Sequence, residues 1–125
     1  METRAETRLR LLLVSDHRAA ADALAEYLGR HGFDIVARAA TAAEAAAAVR
    51  STSIDVALID GDLAAGWRSV VQAVAEPLGR NHIAVLSSYL GQQERTDARR
   101  SGVGAALLKR VAGANLAGQL RALAV

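Results

Sequence analysis

Short apolar runs alternate along the chain with longer segments in which apolar residues recur every three or four positions. The runs are strand-sized and mostly apolar throughout, which is typical of strands buried on both faces. We predict strands over residues 9–14, 33–39, 54–59, 82–87 and 105–108. The three-and-four spacing between them predicts amphipathic helices. These helices are expected over residues 18–31, 42–50, 66–78, 92–100 and 116–123.

Several residues mark the ends of these helices. Thr41 followed by Glu44 is typical of a capping box at the start of an alanine-rich helix. Gly102 is expected to close the fourth helix. We expect the third helix to begin at Gly66 and its last turn to be disturbed by Pro77.

Strict alternation of apolar strands with helices predicts a parallel sheet covered by helices on both faces, a doubly wound (βα)5 arrangement of the α/β class. The 125 residues suit one domain, residues 1–125. We expect residues 1–7 to form a disordered N-terminal extension.

Composition excludes several classes of protein. With no cysteine, the chain has neither disulfides nor thiolate metal sites. The apolar runs are too short to span a bilayer and the N-terminus lacks a secretion signal, so we expect a soluble, cytoplasmic protein. The net charge is only +2, and the cluster of Arg95, Arg99 and Arg100 is interrupted by Glu94 and Asp97. We interpret this cluster as a solvated helix face, not a nucleic-acid site.

Four of the predicted strands end in polar side chains suited to a metal ion or a phosphoryl group. These are Asp16, Asp60, Ser87 and Lys109, and Lys109 is the one lysine among fifteen cationic residues. Sites in open parallel sheets lie outside the carboxyl ends of the strands, so these four side chains should converge. Two close carboxylates repel and need a cation between them, and Mg²⁺ suits oxygen ligands.

The sequence segments that contain these four residues resemble receiver domains of bacterial two-component response regulators. The segments are LLVSDHRAAADALAEYLGRHGFDIVARAATAAEAAAAVR, DVALID, IAVLSSY and GVGAALLKR. Their order and spacing along the chain also match those of receiver domains. The resemblance covers essentially the whole chain. It implies a single receiver domain with a flavodoxin-like five-stranded parallel sheet in strand order 2-1-3-4-5.

The resemblance also implies roles for the strand-end residues. Asp60 would be the phosphoacceptor, and Asp16 would bind Mg²⁺ together with Asp60 and the backbone carbonyl of Asp62. Ser87 and Lys109 would bind phosphoryl oxygens. No enzymatic activity is expected beyond Mg²⁺-dependent self-phosphorylation and autodephosphorylation.

Four positions depart from the family pattern. Ser15 stands where receivers usually have an acid, which predicts weakened Mg²⁺ binding. Ala64 and Arg110 stand where prolines are common, so we expect a shortened loop after Asp60 and a looser pocket. Ala106 replaces an aromatic that reports activation in many receivers, and Tyr89 could assume part of that role or gate the site.

Two functions follow from this pattern. In the first, a histidine kinase or phosphotransfer protein phosphorylates Asp60, and output is through protein binding because no module follows Val125, unless the chain is a fragment of a longer regulator. In the second, a degenerate pseudo-receiver acts as a phosphorylation-independent interaction or dimerisation module. A cofactor-binding or hydrolase function is disfavoured because the chain lacks a GxGxxG loop and a histidine at triad spacing.

The surface of the fourth helix, fifth strand and last helix is where receivers generally meet partners. An acidic protein partner, or a homodimer with cross-pairing to Glu94 and Asp97, would suit this surface, and we expect neither direct nucleic-acid nor membrane binding. The basic residues expected on it are Arg95, Arg99, Arg100, Arg110 and Arg121.

Overall fold

The computed structural model describes residues 8–109 and 115–124, so the disorder predicted for residues 1–7 lies outside the described residues. The strands are β1 (Leu9–Val14), β2 (Phe33–Ala39), β3 (Val56–Asp60), β4 (Ile83–Ser87) and β5 (Ala105–Leu108). The helices are α1 (Arg18–Gly29), α2 (Ala42–Ser51), α3 (Arg68–Leu78), α4 (Gln92–Ser101) and α5 (Leu116–Leu123), and a short 3₁₀ helix (Arg80–His82) precedes β4.

The strands form one parallel sheet in the order β2-β1-β3-β4-β5. The predicted α/β fold, with flavodoxin-like strand order 2-1-3-4-5, is confirmed. The order reverses at β1 and β3, which places the carboxyl ends of these two central strands beside each other. In folds of this kind that edge is where ligands bind.

The core lies on both faces of the sheet. Alternate strand residues such as Leu13 and Leu58 pack with α1 and α5 on one face, whereas Val14 and Ile59 pack with α2 and α3 on the other. β3 and β4 are buried at every position, which explains why their sequences are apolar up to the polar last residue of each, Asp60 and Ser87. Each fully buried Leu, Ile or Val side chain stabilises the fold by about 1.5–3 kcal/mol.

Both predicted helix caps are confirmed, although the hydrogen bond to the Glu44 side chain comes from one residue earlier than in the usual capping box. Thr41 Oγ1 accepts the N–H of Glu44 at 3.1 Å. Glu44 Oε1 accepts the N–H of Ala40 at 2.7 Å, one residue before the N-cap. Gly102 ends α4 with φ of 77°, a left-handed conformation that favours glycine.

The predicted start of the third helix at Gly66 is wrong. Gly66 has φ of 90°, which a helix cannot accommodate, so α3 begins at Arg68 and a loop of residues 61–67 separates it from β3. Pro77 lies in the last turn of α3, and the helix ends one residue later at Leu78, so few residues follow the proline that removes a hydrogen bond. None of the helices in the described ranges is long and apolar enough to cross a membrane.

Candidate functional site at the carboxyl edge of the sheet

The centre of the site is a buried carboxylate beside an ammonium. Asp60 is the last residue of β3 and only 7% exposed, whereas Lys109 directly follows β5. The parallel register sets Asp60 beside Leu86 of β4, and Ser87 beside Leu108 of β5. Lys109 Nζ therefore reaches across the end of β4 and lies 3.1 Å from Asp60 Oδ1. A carboxylate this buried requires such a partner, because an isolated charge out of water is strongly unfavourable.

Both oxygens of the Asp60 carboxylate accept further hydrogen bonds. The backbone N–H of Asp62 donates to Oδ1 at 2.9 Å. The hydroxyl of Ser15, which follows β1, donates to Oδ2 at 3.0 Å. Ser15 thus occupies a position beside Asp60 at which receivers usually have an acid, and it stabilises the carboxylate without adding a charge.

Ser87 lies at the same edge of the sheet, and the space for its side chain depends on the absence of a side chain at Gly61. Its side chain is buried, and a Cβ on Gly61 would approach Ser87 Oγ to 1.9 Å. The N–H of Gly61 donates to Leu86 O at 2.8 Å, which holds the loop against the end of β4. Only glycine allows the backbone to pass this close to the hydroxyl.

The side chain of Asp62 belongs to the site, which the sequence had not indicated beyond a backbone carbonyl. Lys109 Nζ donates to Asp62 Oδ2 at 2.9 Å, and the backbone N–H of Ser88 donates to the same oxygen at 3.2 Å. Lys109 is therefore shared between two carboxylates, those of Asp60 and Asp62. The spacing Asp-Gly-Asp before the lone lysine was the one signal that could have suggested this sharing.

The contact between Asp62 and Lys109 shifts the pKa values of both side chains. Partial burial acts to raise the pKa of Asp62, but hydrogen bonds from Lys109 and Ser88 outweigh it and the pKa is lowered. Burial acts to lower the pKa of Lys109, but hydrogen bonds to Asp62 and Asp60 outweigh it and that pKa is raised. The carboxylate and the ammonium each favour the charged form of the other.

Asp16 is exposed and is tied to the loop after β3. Its Oδ2 accepts the backbone N–H of Ala64 at 3.1 Å. A proline at position 64, common in receivers, has no N–H to donate. The replacement noted in the sequence therefore creates a contact between the ends of β1 and β3.

The donor set suits Mg²⁺ in its chemistry. Asp16 and Asp60 offer hard carboxylate oxygens at adjacent strand ends, and Mg²⁺ commonly takes only one or two carboxylates and completes its octahedron with water. Over residues 8–109 and 115–124, no group of three or more His, Cys, Asp or Glu side chains could hold a metal. Two carboxylates are a donor set that Mg²⁺ accepts when water supplies the remaining ligands, and this set has one acid fewer than receivers usually supply.

Comparison with known proteins identifies the fold. No family model and no curated protein matches the sequence. A LuxR-family two-component response regulator from Aurantimonas sp. SI85-9A1 superimposes with a TM-score of 0.85 at 24% identity, covering 94% of this chain and 86% of that one. The chain has the fold of response-regulator receiver domains.

Two further solved structures support this identification. The receiver domain of sensor histidine kinase PA1611 from Pseudomonas aeruginosa PAO1, with magnesium coordinated in its active-site cleft, matches with a TM-score of 0.77 at 20% identity over 94% of this chain and 98% of that one. A chain of the CheX–CheY–BeF3–Mg²⁺ complex from Borrelia burgdorferi matches with a TM-score of 0.80 at 18% identity, over 95% and 91% of the two chains.

A cleft of about 230 Å³ lies beneath α4. Ala106 of β5 lines it, and the small side chain leaves room that a larger residue would fill. Tyr89 is 66% exposed and stands at the rim of the cleft. Residues that line the cleft include Asp62, Trp67, Ser87, Tyr89, Ala98 and Ala106.

The basic surface expected on α4, β5 and α5 is smaller than the sequence suggested. Arg121 donates to His31 O, and its guanidinium stacks 5.6 Å from the centre of the Phe33 ring, so it faces the α1–β2 connection. Arg100 lines a cleft with Arg68 on the α3 side. Arg110 lies outside the described residues. Arg100 and Arg121 therefore face away from the expected surface. The rotation of α4 and α5 about their axes decides this, and periodicity alone did not predict it.

The acidic residues of α4 differ in their availability for cross-pairing. Asp97 is already engaged within the chain, because it forms an ion pair with Arg68 and accepts a hydrogen bond from Gln93 Nε2 at 3.0 Å. Arg95 donates to the carbonyl of Leu90 at 3.2 Å. A dimer through this surface would therefore have to pair Glu94 with basic side chains, since Asp97 is occupied.

Proposed function

We propose that this chain is a phosphoryl-accepting receiver domain of a bacterial two-component system, with Asp60 as the phosphoacceptor. The observation that carries the proposal is the 3.1 Å contact between Lys109 Nζ and the buried carboxylate of Asp60. Ser87 lies at the same edge of the sheet, beside Gly61. An acid, an ammonium and a hydroxyl at one strand edge form a set suited to phosphoryl transfer.

In the proposed reaction, an oxygen of the Asp60 carboxylate forms a bond to the phosphorus of a phosphohistidine on a histidine kinase or phosphotransfer protein. The P–N bond breaks and its electron pair remains on the imidazole, so the product is an acyl phosphate on Asp60. Lys109 and the Ser87 hydroxyl donate to the phosphoryl oxygens. They stabilise the negative charge that these oxygens carry as the group moves.

Mg²⁺ is part of the proposal. Asp16 and Asp60 would bind it through their carboxylates and Asp62 through its backbone carbonyl, and water would complete the coordination. When bound, the metal neutralises charge on the phosphoryl oxygens. The all-oxygen donor set and the magnesium in the PA1611 receiver domain support this assignment. The missing acid at Ser15 is expected to weaken the affinity.

The proposed output is protein binding through the loop of residues 88–91 and the helix α4 that follows it. Such a receiver would act in the cytoplasm, with a sensor kinase or phosphotransfer protein upstream and a protein partner, or a second copy bound through the α4, β5 and α5 surface, downstream. We propose no direct contact with nucleic acid and no activity beyond self-phosphorylation and autodephosphorylation. The exposed, polar character of α4, where only Ala98 is buried, suits a surface that binds other proteins.

One observation favours a second function, a pseudo-receiver that acts as an interaction or dimerisation module without phosphorylation. Both oxygens of Asp60 already accept hydrogen bonds, from Lys109 and the Asp62 N–H on one side and from Ser15 on the other. Such a carboxylate is stable without a metal. The first function differs in predicting that added Mg²⁺ and a phosphoryl analogue bind here.

Titration with beryllofluoride in the presence of Mg²⁺ separates the two functions. Trp67, the only tryptophan, lines the same cleft as Ser87 and serves as a fluorescence probe. The phosphoryl-accepting receiver predicts a saturable change in fluorescence that is lost in Asp60→Asn. An absence of saturable change at every Mg²⁺ concentration would favour the pseudo-receiver.

A further inference from the structure

The Asp62 carboxylate bridges two loops at the site. It follows β3 by two residues, yet it contacts groups that follow β4 and β5. Its Oδ2 accepts a hydrogen bond from Lys109 Nζ at 2.9 Å and from the Ser88 backbone N–H at 3.2 Å. An anionic oxygen thus already lies between an ammonium and a backbone amide at the strand edge.

These two donors are of the kind that a phosphoryl group on Asp60 would use. Lys109 also contacts Asp60 itself, so its ammonium is within reach of any group attached there. Ser88 adjoins Ser87, the hydroxyl assigned to phosphoryl binding, and its N–H lies at the same end of β4. Charge-assisted hydrogen bonds from an ammonium and an amide are the strong interactions by which proteins hold oxyanions.

We propose that the Asp62 carboxylate is an internal competitor for the phosphoryl-binding donors, which it occupies in the unphosphorylated protein and must release before a phosphoryl oxygen can take them. This inference rests on the proposed function, since it assumes that Asp60 is the acceptor. It assigns to Asp62 a role beyond its backbone carbonyl. Like charges also repel, so the carboxylate opposes an incoming dianion even before it moves.

Release of the Asp62 carboxylate would also transmit phosphorylation of Asp60 to the loop that leads into α4. The bond from Ser88 to Asp62 connects the loop after β4 to the loop after β3. When the carboxylate leaves, the loop that leads into α4 loses that connection and is free to follow the phosphoryl group. This route requires no aromatic side chain on β5, where the chain has Ala106.

The test compares Asp62→Asn with a matched control, Asp34→Asn. Asparagine keeps the shape of Asp62 and can still accept the Ser88 N–H, but it removes the charge that holds Lys109. Asp34 forms an exposed ion pair with Arg8 at 2.7 Å near the start of β2, at the opposite end of the sheet, so its substitution makes the same change in net charge far from the site.

The measurement is the affinity for beryllofluoride by Trp67 fluorescence, with a calorimetric titration as a second readout. Each variant is studied at a Mg²⁺ concentration that saturates it, so that any change in metal affinity is removed. We expect Asp62→Asn to bind beryllofluoride about tenfold more tightly than the natural chain, a difference of about 1.4 kcal/mol. Asp34→Asn should bind like the natural chain.

The possible outcomes separate this inference from the proposed function. If the natural chain and Asp62→Asn bind equally, or the variant binds more weakly, Asp62 does not compete and the inference is wrong while the proposed function stands. If neither binds, both fail. Should Asp62→Asn not fold, which its partly exposed position makes unexpected, Asp62→Ser provides the same comparison.

Discussion

The hydroxyl of Ser15 donates a hydrogen bond to Oδ2 of Asp60 over 3.0 Å, from the position at which receivers usually place an acid. A neutral donor there satisfies the buried carboxylate in the absence of a metal. An acid would instead repel Asp60 until a cation bound between them. Ser15 therefore stabilises the Asp60 carboxylate through a neutral hydrogen bond, whereas an acid at this position would increase the attraction for a divalent ion.

Ser15→Asp is expected to raise the affinity for Mg²⁺ at least tenfold. A unit negative charge about 5 Å from the divalent metal contributes roughly 6–7 kcal/mol at an effective dielectric near 20, and solvent screening reduces this strongly. The dissociation constant is measured by Mg²⁺ titration of Trp67 fluorescence. Ser15→Ala separates the two contributions, since it removes the hydroxyl without adding a charge and should tighten binding much less than Ser15→Asp. Equal affinities for Ser15→Asp and the natural chain would show that the position does not set metal affinity.

Gly61→Ala is expected to lower the free energy of unfolding by about 1–3 kcal/mol, because overpacking forces neighbouring groups to move. The new Cβ would lie 1.9 Å from Ser87 Oγ and 3.1 Å from a methyl of Val85. Gly118→Ala in α5 is the matched control, since a Cβ there meets nothing within 4 Å and alanine favours a helix by up to about 1 kcal/mol. Urea denaturation measures both, and an unchanged stability for Gly61→Ala would contradict the close approach.

The ion pair of Asp62 and Lys109 predicts a defined pH dependence of stability. The lowered pKa of Asp62 means that its contribution is present above the unfolded value, about 3.9, and is lost as pH falls through the lower folded value. The raised pKa of Lys109 means that its contribution is present below about 10.4 and is lost as pH rises through the higher folded value.

We therefore expect the natural chain to exceed Asp62→Asn in free energy of unfolding by up to about 1 kcal/mol at pH 7, since a partly exposed pair is screened. The difference should be constant between about pH 5 and 9, should narrow as pH falls below about 4 through the lowered pKa of Asp62, and should narrow again as pH rises above about 10.5 through the raised pKa of Lys109. Denaturation at several pH values measures it. A difference that persists unchanged at pH 3 would exclude the ion pair as its cause.

Tyr89→Ala is expected to leave the free energy of unfolding within about 0.5 kcal/mol of the natural value, because the ring is 66% exposed. If Asp60 is phosphorylated as proposed, the same change should shorten the lifetime of the phosphoryl group, since Tyr89 lines the same cleft as Ser87 and would limit access of water to it. The decay of phosphorylated protein after removal of the donor measures this lifetime. If neither the lifetime nor partner binding changes, Tyr89 has no gating role.

The strand ends could be predicted from the sequence because a parallel sheet brings them to one edge whatever the details of the helices. To place Asp60 and Lys109 together needed only the carboxyl ends of β3 and β5, and the apolar runs predicted those ends to within one residue, although the predicted start of β3 at residue 54 was two residues too early. The start of α3 was missed because Gly66 adopts a positive φ, which depends on the turn that follows β3. Periodicity does not report backbone conformation at a single glycine.

Side-chain directions in loops and on helices were not predictable in the same way. Asp62 lies in the loop after β3, and the turn decides whether its carboxylate faces solvent or Lys109. Arg121 sits on a helix whose rotation about its axis directs the guanidinium to His31 and Phe33. Both outcomes depend on tertiary packing, which a residue pattern does not specify.

The most direct test of the account is the intact mass of the protein after incubation with acetyl phosphate and Mg²⁺, compared between the natural chain and Asp60→Asn. We predict that the natural chain gains the mass of one phosphoryl group, that the gain requires Mg²⁺, and that Asp60→Asn gains none. No added mass in the natural chain at saturating Mg²⁺, or an equal gain in Asp60→Asn, would contradict the assignment of Asp60 as phosphoacceptor.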